Sequence, residues 1–597
     1  MDELPVTLDE TYENALKGID KEKRGYANRL FHCLVVSIRP LRVKELAELF
    51  AILPQADSTP EFNIGWRPED PEEFILSTCK TLVSIVNIDG ERVIQFSHFS
   101  VREYLTSIRL AYAAPVSHFH ILPKLAHTLL ARACLSVLFQ LDCSIDKTKI
   151  QSFPLALYAA EHWVDHARCE DVASDIQDEV DCLFDRNKPY FSVWIWLHDV
   201  DDSWIPYGRP PHPTQPVQAP LYYAALCGFH DLSERLLDAY PGDINARGGY
   251  YETPLQGALY KGFLGIVLLL LERGADPGPR DHDGQTALYR ASSRGYSEVV
   301  RSLIDRGADL NAECNDRDEY GKEVGRTPLH AATYNGHRDI ALFLLEGGAN
   351  AETRSRQDQT PLYMASSRGF AEVVRLLIDH GADVDAKCDD LDGSSHVRWT
   401  PLHVASCHGN LEVARVLFER GVDVHYQDNW GWSPLHYASR HPFNDVARLL
   451  LNHGVNPDAP NNEGDTALHI ASLKGHNTVV KLLLEYGTYV DARSKSRATP
   501  LFLASEWGRL DVVKLLLVHG ADVNAQQDAG WTALHRAVCI GHVQAVEVLL
   551  ECGADPYVET RVGVTPIQMA NASPWVSKEE DQKQIIRLLS EGTSERM

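Results

Sequence analysis

Thr466-Ala467-Leu468-His469-Ile470-Ala471, then Gly475, then Val479-Val480-Lys481-Leu482-Leu483-Leu484 and Gly487, is the phrase from which the rest of the chain is read. Its opening residue or a substitute returns at Ala219, Thr253, Thr286, Thr327, Thr360, Thr400, Ser433, Thr466, Thr499, Thr532 and Thr565. The intervals are 34, 33, 41, 33, 40, 33, 33, 33, 33 and 33 residues, so one period governs eleven units and two gaps carry insertions. Each recurring residue has a physical task. Thr caps a helix start, and Pro254, Pro328, Pro361, Pro401, Pro434 and Pro500 follow where a missing N–H costs nothing. Small Ala residues such as Ala291, Ala365 and Ala471 let helices approach closely, and Gly295, Gly369 and Gly475 supply a left-handed end. A second apolar helix follows, as in Val373, Val374, Leu376 and Leu377. Helices of about nine residues do not hold alone in water, so repeat must stack on repeat.

A period of 33 with a Thr-Pro-Leu-His-like opening resembles the ankyrin repeat. The resemblance implies a mainly α chain with an α-solenoid of about eleven repeats over residues 219–592, binding a partner protein on a concave face.

Composition narrows the function classes. The 597 residues carry a formal charge of −26, which argues against nucleic acid or an anionic membrane surface as a bulk partner. The 12 cysteines are scattered without a C-x-x-C pair, as expected for reduced thiols and an intracellular protein, cytoplasmic or nuclear. The acidic start, Met1 to Glu10, does not read as a secretion signal, and the apolar run Ile266 to Leu271 is far too short to span a bilayer.

Ahead of the repeats, Leu8, Tyr12, Ala15, Leu16 and Ile19 keep helical spacing, Leu30, Leu34 and Val35 continue it, and Val43 to Ile52 reads as a third helix. A fourth is expected around Phe74 to Cys79, after a Pro-rich loop from Pro54 to Pro71. Leu82 to Val86 and Arg92 to Phe96 flank Asp89-Gly90, a two-strand hairpin signal. The phrases Leu8-Asp9-Glu10-Thr11-Tyr12, Arg39-Pro40-Leu41 and Phe96 to Leu105 resemble the winged-helix segment of fungal NACHT-ankyrin (STAND-type) signalling proteins, and Leu155 to Trp163 resembles their helical linker. The expected organisation is a winged-helix-like domain over 1–113, a helical linker bundle over 114–202, a Pro-rich connector over 203–218 and the repeat array over 219–592. That family places an NTPase module ahead of the winged helix, and this sequence has no G-x-x-x-x-G-K-[ST].

Catalytic and metal patterns are weak. No G-x-S-x-G, H-E-x-x-H or dinucleotide glycine fingerprint is present, so neither an enzyme nor a cofactor is expected. His162 and His166 share helical spacing but have no third ligand beside them, so no metal is expected. Asp178 to Asp181 sits among Ile176, Val180, Leu183 and Phe184 at helical spacing and reads as a solvated helix face. His330, His403, His436, His469 and His535 fill the fourth place of the repeat phrase, where the resemblance implies structural hydrogen bonds. Residues 1–110 carry 13 Lys+Arg against 18 Asp+Glu, so direct DNA contact by the winged helix is not expected.

Specificity should lie in residues that the repeat pattern leaves free. The position before the first glycine holds Lys261, Arg294, Asn335, Arg368, His408, His441, Lys474, Trp507 and Ile540, a basic line with an apolar end. The expected partner-binding residues are Lys261, Arg294, Arg368, His408, His441, Lys474 and Trp507, facing an acidic segment of a protein partner. Trp399, Trp432 and Trp531 precede capping residues and are expected to pack. The insertions, with Asp316, Asp318, Glu319 and Glu323 in one and Asp389, Asp390 and Asp392 in the other, are expected at turn tips, where they would compete for the basic line. Two alternative roles are a transcription co-regulator holding a transcription factor, and the sensing half of a NACHT-type NTPase that has lost its NTPase domain.

Overall fold

The computed structural model describes residues 6–52, 67–146, 148–169, 171–198, 200–201, 219–315, 325–389, 397–572 and 579–594. The Pro-rich connector, most of the loop after residue 52 and the interiors of both insertions lie outside the described residues. Two compact units divide the chain, Met1–His282 and Asp283–Met597.

The first unit opens with α1 (Val6–Lys17), α2 (Arg24–Val36), β1 (Leu41–Arg42), α3 (Val43–Ile52), α4 (Pro71–Cys79), β2 (Val83–Ile88), β3 (Glu91–Phe96), α5 (Phe99–Leu105) and α6 (Ile108–Tyr112). The strands form one antiparallel sheet in the order β1-β3-β2, with Ile94 opposite both Leu41 and Ile85. Asp89 and Gly90 take positive φ at the hairpin turn, as the sequence predicts. Of the three N-terminal phrases, the first and third meet, and the second holds its own turn. Tyr12 of α1 hydrogen-bonds Ser100 of α5 through its hydroxyl at 2.7 Å, and its ring packs on Tyr104. Arg39 clamps the buried Glu45 with two guanidinium N–H groups at 2.9 and 2.7 Å, and Arg42 N–H adds a third bond.

Helices α7 (Pro123–Leu138), α8 (Ala156–Ala167), α9 (Val172–Asp175), α10 (Gln177–Phe184) and α11 (Tyr190–Leu197) follow. They pack against the first helix pair, α12 (Pro220–Cys227) and α13 (His230–Ala239), through rings: Trp163 stacks on Phe229, while Phe191 and Trp194 meet Tyr223 edge-on. Arg235 of α13 pairs with Asp181 of α10 at 2.7 Å. This aromatic seam buries the apolar face that a terminal repeat otherwise exposes. The unit ends with α14 (Pro254–Lys261) and α15 (Leu264–Glu272).

The second unit is a row of helix pairs. Its first helices span Ala287–Arg294, Pro328–Asn335, Pro361–Arg368, Pro401–His408, Pro434–Arg440, Ala467–Lys474, Pro500–Glu506, Ala533–Ile540 and Pro566–Ala572, each starting after its predicted cap. Cap and histidine form a reciprocal box at Thr327/His330, Thr400/His403, Ser433/His436, Thr466/His469 and Thr532/His535. The other ring nitrogen of these histidines lies 3.0–3.1 Å from a carbonyl of the next repeat, on Gln359, Trp432, Asp465, Ala498 and Val564. A carbonyl only accepts, so Nε2 carries the proton and Nδ1 is the acceptor at the cap.

Glycine is required twice over at the first-helix ends. Gly409 has φ 72°, and a Cβ there would lie 2.5 Å from the Phe443 ring of the next repeat. Where the residue after the glycine is polar, it donates to orphan carbonyls of the preceding helix: His337 to Ser293, Asn410 to Ser366 and Ser367, Arg509 to Leu473, His542 to Glu506. Pro442 stands at this glycine position in the repeat that starts at Ser433. There the helix closes at Arg440, and His441 turns extended with φ −118° and ψ 159°.

Two outcomes test this architecture. His330, His403, His436 and His469 are pushed down to about 4, chiefly by burial, and His535 shifts the same way. Unfolded, they titrate near 6.5. Above that pH neither state binds the extra proton, and between about 6.5 and 4 only the unfolded state does, so stability falls as pH drops through the window. Each of the four imidazoles pushed down to about 4 contributes up to roughly 3 kcal/mol to that loss, and urea midpoints are expected to decrease steadily over this range. Hydrogen exchange is expected to open amides of 441–446 faster than those of 408–413, because Pro442 removes the glycine cap; equal protection would show that the helix end tolerates proline.

Candidate functional site

The predicted partner-facing positions fall at one register. Arg294, Arg368, His408 and Lys474 are the last residues of their first helices, and Lys261 ends α14 in the first unit; all five are exposed. Two predicted positions differ. His441 lies beyond its shortened helix and is half-buried, and Trp507 caps Pro500–Glu506 from outside it at 54% exposure. Successive first helices pack side by side within the second unit, so these residues share one face. Bonds that join repeats run through caps, turns and the residue after the glycine, and also between helices, as from Arg536 to Glu506 and from Arg375 to Glu419.

Several of these groups are already oriented. The Arg368 guanidinium sits 4.9 Å from the Tyr334 ring centre, and Arg326 approaches the same ring at 4.8 Å. His408 Nδ1 bonds the Val404 carbonyl of its own helix at 2.9 Å. His441 stacks on Phe443, and His476 Nε2 donates to the Arg440 carbonyl at 3.0 Å. His441 is held below the usual histidine range by burial first and then by Arg440, His476, His408 and Lys474. Such a cluster is only partly visible in sequence, because Arg440 lies one place before the register and His476 two places after it.

Turn tips form a second ladder on the same unit. Asn462 N–H bonds the Trp430 carbonyl, Lys495 that of Glu463, Asp528 that of Ser496 and Arg561 that of Ala529. Trp430 and Val562 are exposed at these tips. Behind the first, the Asp428 carboxylate accepts from Tyr437 OH at 2.6 Å, Trp399 Nε1 at 3.2 Å and the N–H groups of Trp430 and Trp432. Seven residues after the glycine that follows each second helix, the tight turns carry Ser355, Asp428, Asn461, Ser494, Gln527 or Thr560, whereas the lengthened ones carry Cys314 and Cys388. Those cysteines pair with Arg326 and Trp399 as antiparallel bridges, closing the neck of each insertion. A polar turn-former at this place is needed only where the chain reverses at once.

Among the described residues, no group of three metal-ligating side chains is present. His166 instead meets His127 Nδ1 at 2.9 Å and Tyr158 OH at 3.1 Å, and burial, the first cause, pushes it down to about 3. Glu179 and Asp181, on α10, pair with Arg132 and Arg235. A cavity of about 250 Å³ beside α8 and α13 is lined by Arg168, Asp171, Asp231 and Arg235, whose charges balance. No described helix is long and apolar enough to cross a membrane.

Comparison with known proteins agrees with the repeat geometry. The family described as ankyrin repeats (3 copies) matches residues 255–355, 347–428, 420–494 and 490–560, together just over half of the chain. The azaphilone pigments biosynthesis cluster protein L of Monascus ruber is 30% identical over 289 residues, 46% of this chain and 60% of that protein. Neurogenic locus notch homolog protein 1 of Mus musculus is 30% identical over 140 residues, 23% of this chain and 5% of that protein. The chain therefore spans less than two thirds of these relatives. The crystal structure of the ankyrin repeat domain of Bcl-3 is 31% identical, covering 39% of this chain and 100% of that one at a TM-score of 0.34.

Packing and displayed tryptophans should separate on mutation. Trp399, 6% exposed, joins Tyr363, Val404 and Tyr437 in one cluster, so Trp399→Ala is expected to cost about 3–5 kcal/mol. Trp507→Ala is expected to stay within about 0.5 kcal/mol. Urea midpoints of the two variants check the contrast.

Proposed function

The chain belongs to the ankyrin-repeat family, and from that premise we propose that it is a non-enzymatic scaffold or sensor that binds a partner protein on the second unit's first-helix ends. The array counts eleven repeats from residue 219. An acidic stretch of the partner meets Arg294, Arg368, His408, His441 and Lys474 and sets an apolar residue on Trp507. Lys261 holds the equivalent place in its own repeat. The observation that carries this reading is one largely exposed, mostly basic register in a chain of net charge −26.

The remaining organisation follows the same reading: a winged-helix-like domain over 1–113, a bundle over 114–202 and a connector over 203–218. The order α2-β1-α3-α4-β2-β3 and its three-stranded sheet support the winged helix. They also favour a second role, the sensing part of a NACHT-type signalling protein. An in-frame P-loop in the upstream transcript would support that role. The Monascus ruber relative's name supports a setting beside a biosynthesis cluster, where such a chain holds proteins together.

Cross-linking capture from the native cell, compared between wild type and Arg294→Glu/Arg368→Glu, tests the interaction reading. The variant is expected to keep its thermal midpoint and lose the proteins that wild type holds. A Lys481→Glu/Arg448→Glu control, on second helices, is expected to keep them. Loss in the control alone, or no loss in either, would move binding off this face.

A further inference from the structure

The repeat that starts at Ser433 breaks the pattern at one point, and the break coincides with a concentration of positive charge. Pro442 replaces the left-handed glycine, the helix stops at Arg440, and His441 is extended and stacked on Phe443. Arg440 is exposed, with its guanidinium 5.9 Å from the Trp432 ring centre. Lys474 is exposed at the end of the next first helix, and His408 at the end of the preceding one. His476 is tethered to the Arg440 carbonyl. The neighbouring groups that act most on His441 are Arg440, His476, His408 and Lys474, all of them basic.

We propose that this break is a carboxylate-binding notch, in which Arg440, Lys474 and His441 receive adjacent Asp or Glu side chains of a partner segment whose apolar residue lies on Trp507. The proposal rests on the protein-binding reading above and names the chemistry of its central contact. Arg440 and Lys474 are fixed cations at neutral pH, and adjacent carboxylates match them without drawing on the buried core. Trp507 stands one repeat beyond Lys474, and first helices about 10 Å apart correspond to about three residues of extended peptide. The partner motif is therefore an acidic pair followed about three residues later by a large apolar residue.

His441 makes the notch pH-sensitive. Without ligand, burial and four basic neighbours disfavour its proton. A bound carboxylate reverses the sign of the local field and favours that proton, so the bound state takes it up at higher pH than the free state. Binding then strengthens as pH falls, until the free notch is protonated as well.

Fluorescence anisotropy on the full chain tests this with a labelled peptide holding Asp-Glu and, about three residues on, Leu-Phe. Kd is expected to fall about fivefold from about pH 7.5 to about pH 6.2, with folding checked by circular dichroism at both. Arg440→Gln/Lys474→Gln is expected to weaken binding by about tenfold or more. His441→Gln is expected to flatten the pH dependence while staying within about twofold of wild type at the higher pH. An Asn-Gln peptide that binds as tightly, a phosphoserine peptide that binds where the acidic one does not, or a pH slope that survives His441→Gln would overturn the notch. If the acidic peptide fails while Arg294→Glu/Arg368→Glu still releases captured proteins, the notch falls and the interaction face stands. Failure of both removes both.

Discussion

The hydrogen bond from an imidazole Nε2–H to a turn carbonyl of the next repeat is the constraint from which the array's regularity follows. One histidine satisfies the cap of its own helix through Nδ1 and the following repeat's backbone through Nε2, as His469 does with Thr466 and Ala498. The Nε2 bond forms only when the following repeat is in place, so the ring that caps a local helix start is also tied to long-range stacking. The ring has to be neutral and in one tautomer to do both. Burial enforces that, at the cost of making the array sensitive to acid.

The glycine that ends each first helix is a second coupling of the same kind. Its left-handed φ closes one helix, and its missing Cβ admits a side chain from the next repeat, as at Gly336 against Phe370. Where that side chain is His, Asn or Arg, it also satisfies carbonyls the helix leaves open. Losing the glycine therefore alters two repeats at once. Pro442 keeps the second function, since His476 still reaches the Arg440 carbonyl, and gives up the first, since the helix stops short.

The repeats were legible in the sequence because every recurring residue answers a local backbone need at a fixed distance: Thr at the cap, Pro after it, Gly at the end. The N-terminal hairpin was legible for the same reason, through Asp89-Gly90. What escaped were relations between elements distant in sequence. The stacking of Trp163 on Phe229 and the bond between Tyr12 and Ser100 join residues tens of positions apart, with no periodicity to mark them. The face residues were found by register alone, which identified Arg368 and Lys474 but placed His441 and Trp507 inside helices that end one residue earlier. The shift at His441 has a cause, Pro442; nothing in the structure explains the one at Trp507, whose Gly508 still takes positive φ.

A basic register on a chain of net charge −26 has a consequence for how it recognises a ligand. Beyond a Debye length of about 10 Å at 0.1 M salt, an acidic ligand responds to little of the chain's charge, and what remains opposes its approach. Attraction begins only at contact range, where Arg440, Lys474 and their neighbours dominate. Such a site gains little from steering and sets affinity mainly through how slowly a matched ligand leaves. It also discriminates against acidic surfaces that lack the right shape, because these meet the general repulsion without reaching the local cations. Acidic composition and a local basic face are therefore complementary: one excludes, and the other selects.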